Sequence, residues 1–184
     1  MTTRDISLVA LMAAVIVALG AVPAIPLSAG VPITLQSMGV MLAGLILGPR
    51  RGAAAVLVVI ALVALGLPVL SGGRGGLGVF VGPTTGFLLG WVLTAFVCGF
   101  LAQVFEATEK STLVRTVHLA GAAIVGGIVV LYACGILWLA FFVKLGLVKA
   151  FWTAVIFTPG DLLKAIAAAV IAVQVRRAVA IERK

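Results

Sequence analysis

Charged residues are scarce in this chain, and acidic residues are the scarcest of them. Only five of the 184 residues are Asp or Glu, 13 are Lys or Arg, and charged residues make up 10% of the sequence. A soluble domain carries about 25% charged residues. With 64% apolar residues, the chain is predicted to be an all-α integral membrane protein, and residues 1–184 leave room for a single transmembrane domain.

Residues that hold metals, form disulfides or act as nucleophiles are also rare. Cys98 and Cys134 lie inside apolar runs without CxxC spacing, so they indicate neither a disulfide nor a metal site. His118 is the sole histidine and has no carboxylate or cysteine nearby. The serines have no partners for nucleophilic catalysis. We therefore predict no enzyme activity, no metal and no cofactor.

Long apolar runs are abundant, and they predict a bundle of six transmembrane helices. The spans are approximately 6–22, 33–47, 52–67, 83–102, 117–142 and 161–175. The first resembles the apolar core of a signal peptide, but we expect it to stay because further spans of the same character follow.

The basic residues stand at the ends of the apolar runs, so the net charge of +8 reports topology rather than nucleic-acid binding. With six spans, nine cations fall on one side: Arg4, Arg50, Arg51, Lys110, Arg115, Arg176, Arg177, Arg183 and Lys184. Arg74, Lys144 and Lys149 fall on the other. Because cytoplasmic loops carry the excess of Lys and Arg, both termini are predicted to be cytoplasmic.

An acid and a base, Asp161 and Lys164, lie three residues apart at the outer start of the sixth span. A charge at the bilayer centre costs on the order of 3 kcal/mol. At this spacing the two side chains share one helix face. They form either an ion pair that tolerates its surroundings or a recognition site for a small polar solute, and we favour the second interpretation.

The glycine-rich stretch from Ser71 to Gly78 contains a formal GxGxxG but no preceding strand and no acid about 20 residues later. ATP binding by this chain is therefore not expected. The stretch is either a flexible external loop or a loop that closes over a ligand with its bare backbone, including Gly73. In the second case Arg74 supplies a cation for a carboxylate.

Other polar and small residues admit two interpretations. Thr34 and Gln36 are helix-start caps or, through the Gln36 amide, readers of a urea-like group. Ala10, Ala14 and Ala18 recur every four residues and form either internal packing or a docking face for another membrane subunit. The aromatic residues Trp91, Trp138, Trp152 and Tyr132 are interfacial anchors or rings that stack on a ligand; the position of Trp152 favours anchoring.

Three blocks follow one another over nearly the whole chain: VPITLQSMGVMLAGLILGPRRGA, GLPVLSGGRGGLGVFVGPTTGFLLGW and TPGDLLKA. Together they resemble the BioY family, the biotin-specific substrate-binding subunits (S components) of energy-coupling factor (ECF) transporters. The chain departs from the family in having no asparagine and in placing Arg74 within the glycine loop.

The resemblance implies a high-affinity biotin subunit in the cytoplasmic membrane of a prokaryote. It also implies partners, namely a transmembrane coupling subunit (T component) that docks on Ala10, Ala14 and Ala18, and two cytoplasmic ATPases. The substrate-binding residues that we predict are Asp161, Lys164, Arg74, Gln36, Thr34, Gly73 and Thr84. The alternatives are an S component for another vitamin, or a structural or channel subunit of a membrane complex.

Overall fold

The structure, a computed structural model, describes residues 1–24, 31–106 and 111–179, and this part consists of helices and short connections. We number the α-helices in chain order: α1 Thr3–Gly20, α2 Gln36–Leu47, α3 Pro49–Ala64, α4 Thr85–Glu106, α5 Thr112–Ile124, α6 Leu131–Phe141, α7 Leu147–Val155 and α8 Thr158–Val179. A π-helical segment, Val125–Val130, joins α5 to α6, so that one continuous helix runs over Thr112–Phe141. A 3₁₀ helix covers Leu77–Val81.

Four of these helices are long and apolar enough to cross a membrane: α1, α4, the continuous α5–α6 helix and α8. Their outer faces carry exposed apolar side chains, including Leu11 at 63%, Phe141 at 63% and Leu163 at 71% exposure. A soluble monomer rarely exposes large continuous apolar patches, whereas lipid tails solvate them. The chain is therefore a multi-pass membrane protein.

Each of the six predicted spans overlaps a helix or, for the fifth, the continuous α5–α6 helix. The boundaries differ by up to five residues, since the fifth helix begins at Thr112 rather than at 117. The second begins at Gln36 rather than at 33. An element that the sequence analysis did not predict is α7, which lies between the fifth and sixth predicted spans. The helix α7 has nine residues, of which Ala150 and Ala154 are buried. It is too short to stand out in the sequence as a long apolar run.

A sharp break separates α2 from α3. Gly48 has a φ of 82°, in the left-handed region where glycine has no Cβ penalty. Pro49 follows as the first residue of α3, where its missing N–H costs no hydrogen bond and its fixed φ favours the helix start. These two residues turn the chain at once, so α3 returns across the bundle beside α2.

Small residues let the helices approach one another closely. A Cβ on Gly44 of α2 would lie 2.2 Å from the carbonyl oxygen of Ala95 in α4. In the π-helical segment, a Cβ on Gly126 would lie 2.4 Å from the sulfur of Cys98, also in α4. Close approach of this kind is a main source of association between membrane helices, and it makes α4 the central helix against which α2 and α5–α6 pack.

Basic residues gather at one end of the bundle, which we call the basic end. Arg176 of α8 donates to the carbonyl of Leu45 near the end of α2, and Arg177 donates to the Thr112 hydroxyl at the start of α5. Arg51 of α3 pairs with Asp5 of α1 at 2.7 Å. The opposite end, the loop end, carries the glycine-rich loop. Lys110, Arg183 and Lys184, which we also predicted on the basic side, lie outside the described residues.

The helix α1 has two different faces. Val9, Met12, Ala13 and Ile16 are buried against the bundle. Ala10, Ala14 and Ala18 are all exposed. The alanine face therefore points away from the part of the bundle that the structure describes.

Candidate ligand-binding site

A cavity opens at the loop end, among α2, α4, α6, α8 and the glycine-rich loop. It contains about 640 Å³ of atom-free space, a volume that includes its open mouth. Its polar lining consists of Thr34, Gln36, Ser37, Arg74, Thr84, Tyr132, Asp161 and Lys164. Six of the seven predicted substrate-binding residues are therefore brought together; the exception is Gly73.

The first turns of α8 place Asp161 and Lys164 in the cavity wall as a buried ion pair. Lys164 Nζ lies 2.8 Å from Asp161 Oδ1, and the two residues are only 8% and 5% exposed. Burial removes the solvation of both charges, and this free-energy cost is offset only when the charges are paired and hydrogen-bonded.

Two neighbours complete this polar network. Tyr132 of α6 donates its hydroxyl to Asp161 Oδ2 at 2.8 Å, and Lys164 donates to Ser37 Oγ of α2 at 3.3 Å. An ammonium has three donors and a carboxylate has about four acceptor positions. One Lys164 donor and part of the Asp161 acceptor capacity therefore remain for a ligand, so the pair can donate and accept at neighbouring points.

Aromatic and aliphatic side chains form the rest of the wall. Phe87 and Trp91 lie one turn apart on α4, and Phe157 precedes α8. The rings of Phe87 and Phe157 meet edge to face, with centroids 6.4 Å apart. The cavity thus suits a ligand that is mainly apolar and carries a compact polar group.

Arg74 reaches the cavity from the glycine-rich loop. The loop folds back on itself through an isolated bridge between Leu70 and Arg74. Arg74 Nε donates to the Ser71 carbonyl at 3.2 Å, and Nη1 donates to Thr84 Oγ1 at 3.3 Å. Both partners are neutral, so the guanidinium retains charge and donors for an anion.

The structure separates the remaining predicted residues by role. Thr34 and Thr84 line the cavity. Gly73 lines an adjoining shallow groove with Gly75 and Gly78 rather than the cavity itself. The last two residues of the predicted stretch, Leu77 and Gly78, belong to the 3₁₀ helix Leu77–Val81.

The comparison with known proteins gives the family. The family model described as "BioY family" matches residues 1–181. The chain belongs to the BioY family. Two relatives are named "Biotin transporter BioY": one from Rhizobium etli is 57% identical and covers 93% of this chain and 92% of its own, and one from Rhodobacter capsulatus is 52% identical and covers 92% and 91%.

A solved structure gives the same result for the fold. It is the crystal structure of the S component for biotin from an ECF-type ABC transporter, and it matches this BioY family member with a TM-score of 0.85. The identity is 35%, and the match covers 96% of this chain and 95% of the other. The helical fold is therefore that of an S component.

Two polar residues of this BioY family member escaped the sequence analysis. Ser37 was considered only as a nucleophile, and Tyr132 was left between anchor and stacking ring. Tyr132 is 29 residues from Asp161 in sequence, and no local spacing rule connects residues so far apart. The signal that could have found it is a lone tyrosine within an apolar run, since a buried tyrosine hydroxyl usually has a partner.

The tryptophans divide into three environments. Trp91 is buried in the cavity wall. Trp138 donates its indole N–H to the Gly82 carbonyl at 2.9 Å and stacks on Phe142, with centroids 4.2 Å apart. Trp152 is 65% exposed. Trp138 thus fixes the segment between the 3₁₀ helix and α4 against α6.

Gln36 holds three segments together. Its amide nitrogen donates to the carbonyls of Ile16 at 3.3 Å and Val69 at 3.0 Å, and its oxygen accepts from the Ser71 amide at 2.9 Å. Both amide donors are thus in use, and the residue is 1% exposed. Gln36 lines the cavity, but its geometry ties α1, α2 and the glycine-rich loop to one another.

We expect Gln36→Leu to lower the free energy of unfolding by about 2–4 kcal/mol. It removes three hydrogen bonds and leaves the Val69 carbonyl and the Ser71 amide unpaired, each at a cost of about 1–3 kcal/mol with partial relief by relaxation. Denaturant unfolding in detergent measures this. Gln174→Leu, an exposed position on α8, is the control and should change little. Equal stability of the two variants would show that the Gln36 hydrogen bonds do not stabilise the fold.

Proposed function

We propose that this chain is the biotin-binding S component of an ECF-type uptake transporter. The observation that carries the proposal is the buried Asp161–Lys164 pair in the wall of the cavity at the loop end. Membership of the BioY family and the S-component fold support it. The protein is a transport subunit rather than an enzyme in this proposal.

Biotin has the chemistry that this cavity can recognise. Its ureido group has two N–H donors and one carbonyl, and these complement the free acceptor positions of Asp161 and the remaining donor of Lys164. Its fused rings and aliphatic chain suit the wall that contains Phe87 and Trp91. Its carboxylate requires a cation, and Arg74 can supply it.

A ligand screen tests the proposal directly. The purified chain in detergent should bind biotin tightly and should bind thiamine, riboflavin and folate at least about a hundredfold more weakly, since a ligand without the ureido group leaves buried polar groups unpaired. Preferential binding of one of the other vitamins would favour an S component of different specificity. Binding of none by folded protein would favour a structural or channel subunit.

The Arg74 assignment predicts selectivity for the free acid. Arg74→Gln should weaken biotin binding by about ten- to a hundredfold, the scale of a hydrogen bond to a charged group, and leave biotin amide binding unchanged. Isothermal titration of both ligands measures this. Lys149→Gln, an exposed cation outside the cavity lining, is the control. Equal losses for acid and amide would remove Arg74 from carboxylate recognition.

We propose that α1, α2, α3, α4, α5–α6 and α8 are the six spans and that both termini are cytoplasmic. The helix α2 has 12 residues, or about 18 Å at 1.5 Å per residue, so it crosses with help from the segment before it. The cations of the basic end support a cytoplasmic location for that end. The loop end then faces outward, where the ligand arrives.

The alanine face supports a proposal about assembly. Ala10, Ala14 and Ala18 are exposed on a helix of 18 residues that is itself long enough to cross the membrane. Small side chains allow a second helix to approach closely. We assign this face to docking of a transmembrane T component, which joins the subunit to two cytoplasmic ATPases in the cytoplasmic membrane of a prokaryote.

A further inference from the structure

A second, larger cavity lies at the basic end, and the biotin proposal does not use it. The start of α1, the α2–α3 joint and the second half of α4 form its wall, and it holds about 1750 Å³ of atom-free space including its mouth. It is separated from the ligand cavity by the length of the bundle, and the two have no lining residue in common.

The cavity is strongly basic. Arg4, Arg50 and Arg51 line it together with a single acid, Asp5, so three positive charges and one negative charge leave a net +2. Asp5 pairs with Arg51 at 2.7 Å. The side chains of Arg4 and Arg50 have no ion pair or hydrogen bond with any other residue in the described ranges.

An apolar track continues from this charged rim toward the middle of the membrane. Phe96 and Phe100 lie one turn apart on α4 and line the cavity, and they are 43% and 51% exposed. Residues four apart share one helix face. The cavity therefore presents cations at its mouth and, deeper in the bundle, two aromatic rings that are separated by about 6 Å along α4.

We propose that the basic cavity binds the headgroup of an anionic phospholipid, with Phe96 and Phe100 against its acyl chain. Guanidinium groups match the geometry of phosphate oxygens, and basic pockets between membrane helices are suited to acidic headgroups. A free phosphate ion would satisfy the arginines but would leave the aromatic track uncovered. A lipid satisfies both, and it would connect α1, α3 and α4 at the membrane surface.

Native mass spectrometry of the purified full chain tests this, with phosphatidylglycerol titrated against phosphatidylcholine. We expect retention of phosphatidylglycerol and at least about tenfold weaker binding by Arg4→Gln/Arg50→Gln. Lys144→Gln/Lys149→Gln removes the same charge outside this cavity and should bind like the wild type. Arg4→Lys/Arg50→Lys should retain most of the binding, which separates loss of charge from loss of fold.

Biotin binding should be unchanged in all of these variants, so the lipid proposal and the biotin proposal can fail separately. Glycerol phosphate and inorganic phosphate should not displace the lipid; displacement at matched concentrations would make this a phosphate site and overturn the lipid assignment. Equal retention of both lipids, or equal binding by Arg4→Gln/Arg50→Gln, would also overturn it. If Arg4→Gln/Arg50→Gln bound lipid normally but failed to assemble with the T component, the cavity would be assigned to a protein partner instead.

Discussion

We expect Asp161→Ala to be the most destabilising change in the ligand cavity, lowering the free energy of unfolding by about 3–5 kcal/mol. The substitution leaves the Lys164 ammonium buried with Ser37 as its only remaining partner in the network. It also removes the acceptor of the Tyr132 hydroxyl. An uncompensated buried charge costs far more than the ion pair contributes in net stability.

The double variant Asp161→Ala/Lys164→Ala provides the decisive comparison. Because it removes both charges, it should be more stable than the sum of the single losses predicts, by at least about 1 kcal/mol. Reversible unfolding in detergent of the wild type, Asp161→Ala, Lys164→Ala and the double variant measures this difference. Leu163→Ala, at a lipid-facing position of the same helix with 71% exposure, controls for loss of helix packing. Strictly additive losses would contradict a coupled pair.

Ala14→Trp should abolish coupled biotin uptake while leaving biotin binding within about twofold of the wild type. An indole in the centre of the alanine face holds a second helix away, because close contact there depends on small side chains. The ligand cavity has no lining residue from α1. Uptake by cells that contain the partner subunits, measured beside binding by the purified chain, separates the two effects.

Leu93→Trp is the matched control for this experiment. Leu93 is 52% exposed on α4, so the same ring is added to a lipid-facing position away from α1. Its uptake should resemble that of the wild type. Full uptake by Ala14→Trp would contradict the docking assignment, and equal failure of both variants would show that bulk on any outer face blocks the transporter.

The Asp161–Lys164 pair could be predicted from the sequence because charged residues are rare within its apolar runs. Charges within apolar runs are expensive, so Asp161 and Lys164 stood out although nothing showed their partners. Arg74 was singled out on a different ground, as a cation within the glycine-rich stretch. Apolar run length likewise gave approximate positions for the helices that overlap the six predicted spans, since about 20 apolar residues are needed to cross a bilayer.

What the sequence could not give depends on contacts between distant segments. Ser37 meets Lys164 across 127 residues, and no periodicity links them. Gln36 was identified as polar at a helix start, but the use of its amide by Ile16, Val69 and Ser71 follows only from the packing of the glycine-rich loop on α1. The helix α7 was missed because it is too short to leave a hydropathy signal.

Equilibrium binding of biotin to the purified chain, with Lys164→Ala and Lys149→Ala beside the wild type, tests the central claim most directly. Wild type and Lys149→Ala should bind tightly and equally. Lys164→Ala should lose at least about 1.5–3 kcal/mol of binding free energy, or roughly ten- to 150-fold in affinity, with a cooperative unfolding transition showing that it is folded. Wild-type affinity in folded Lys164→Ala, or no biotin binding by the folded wild type, would contradict the proposal.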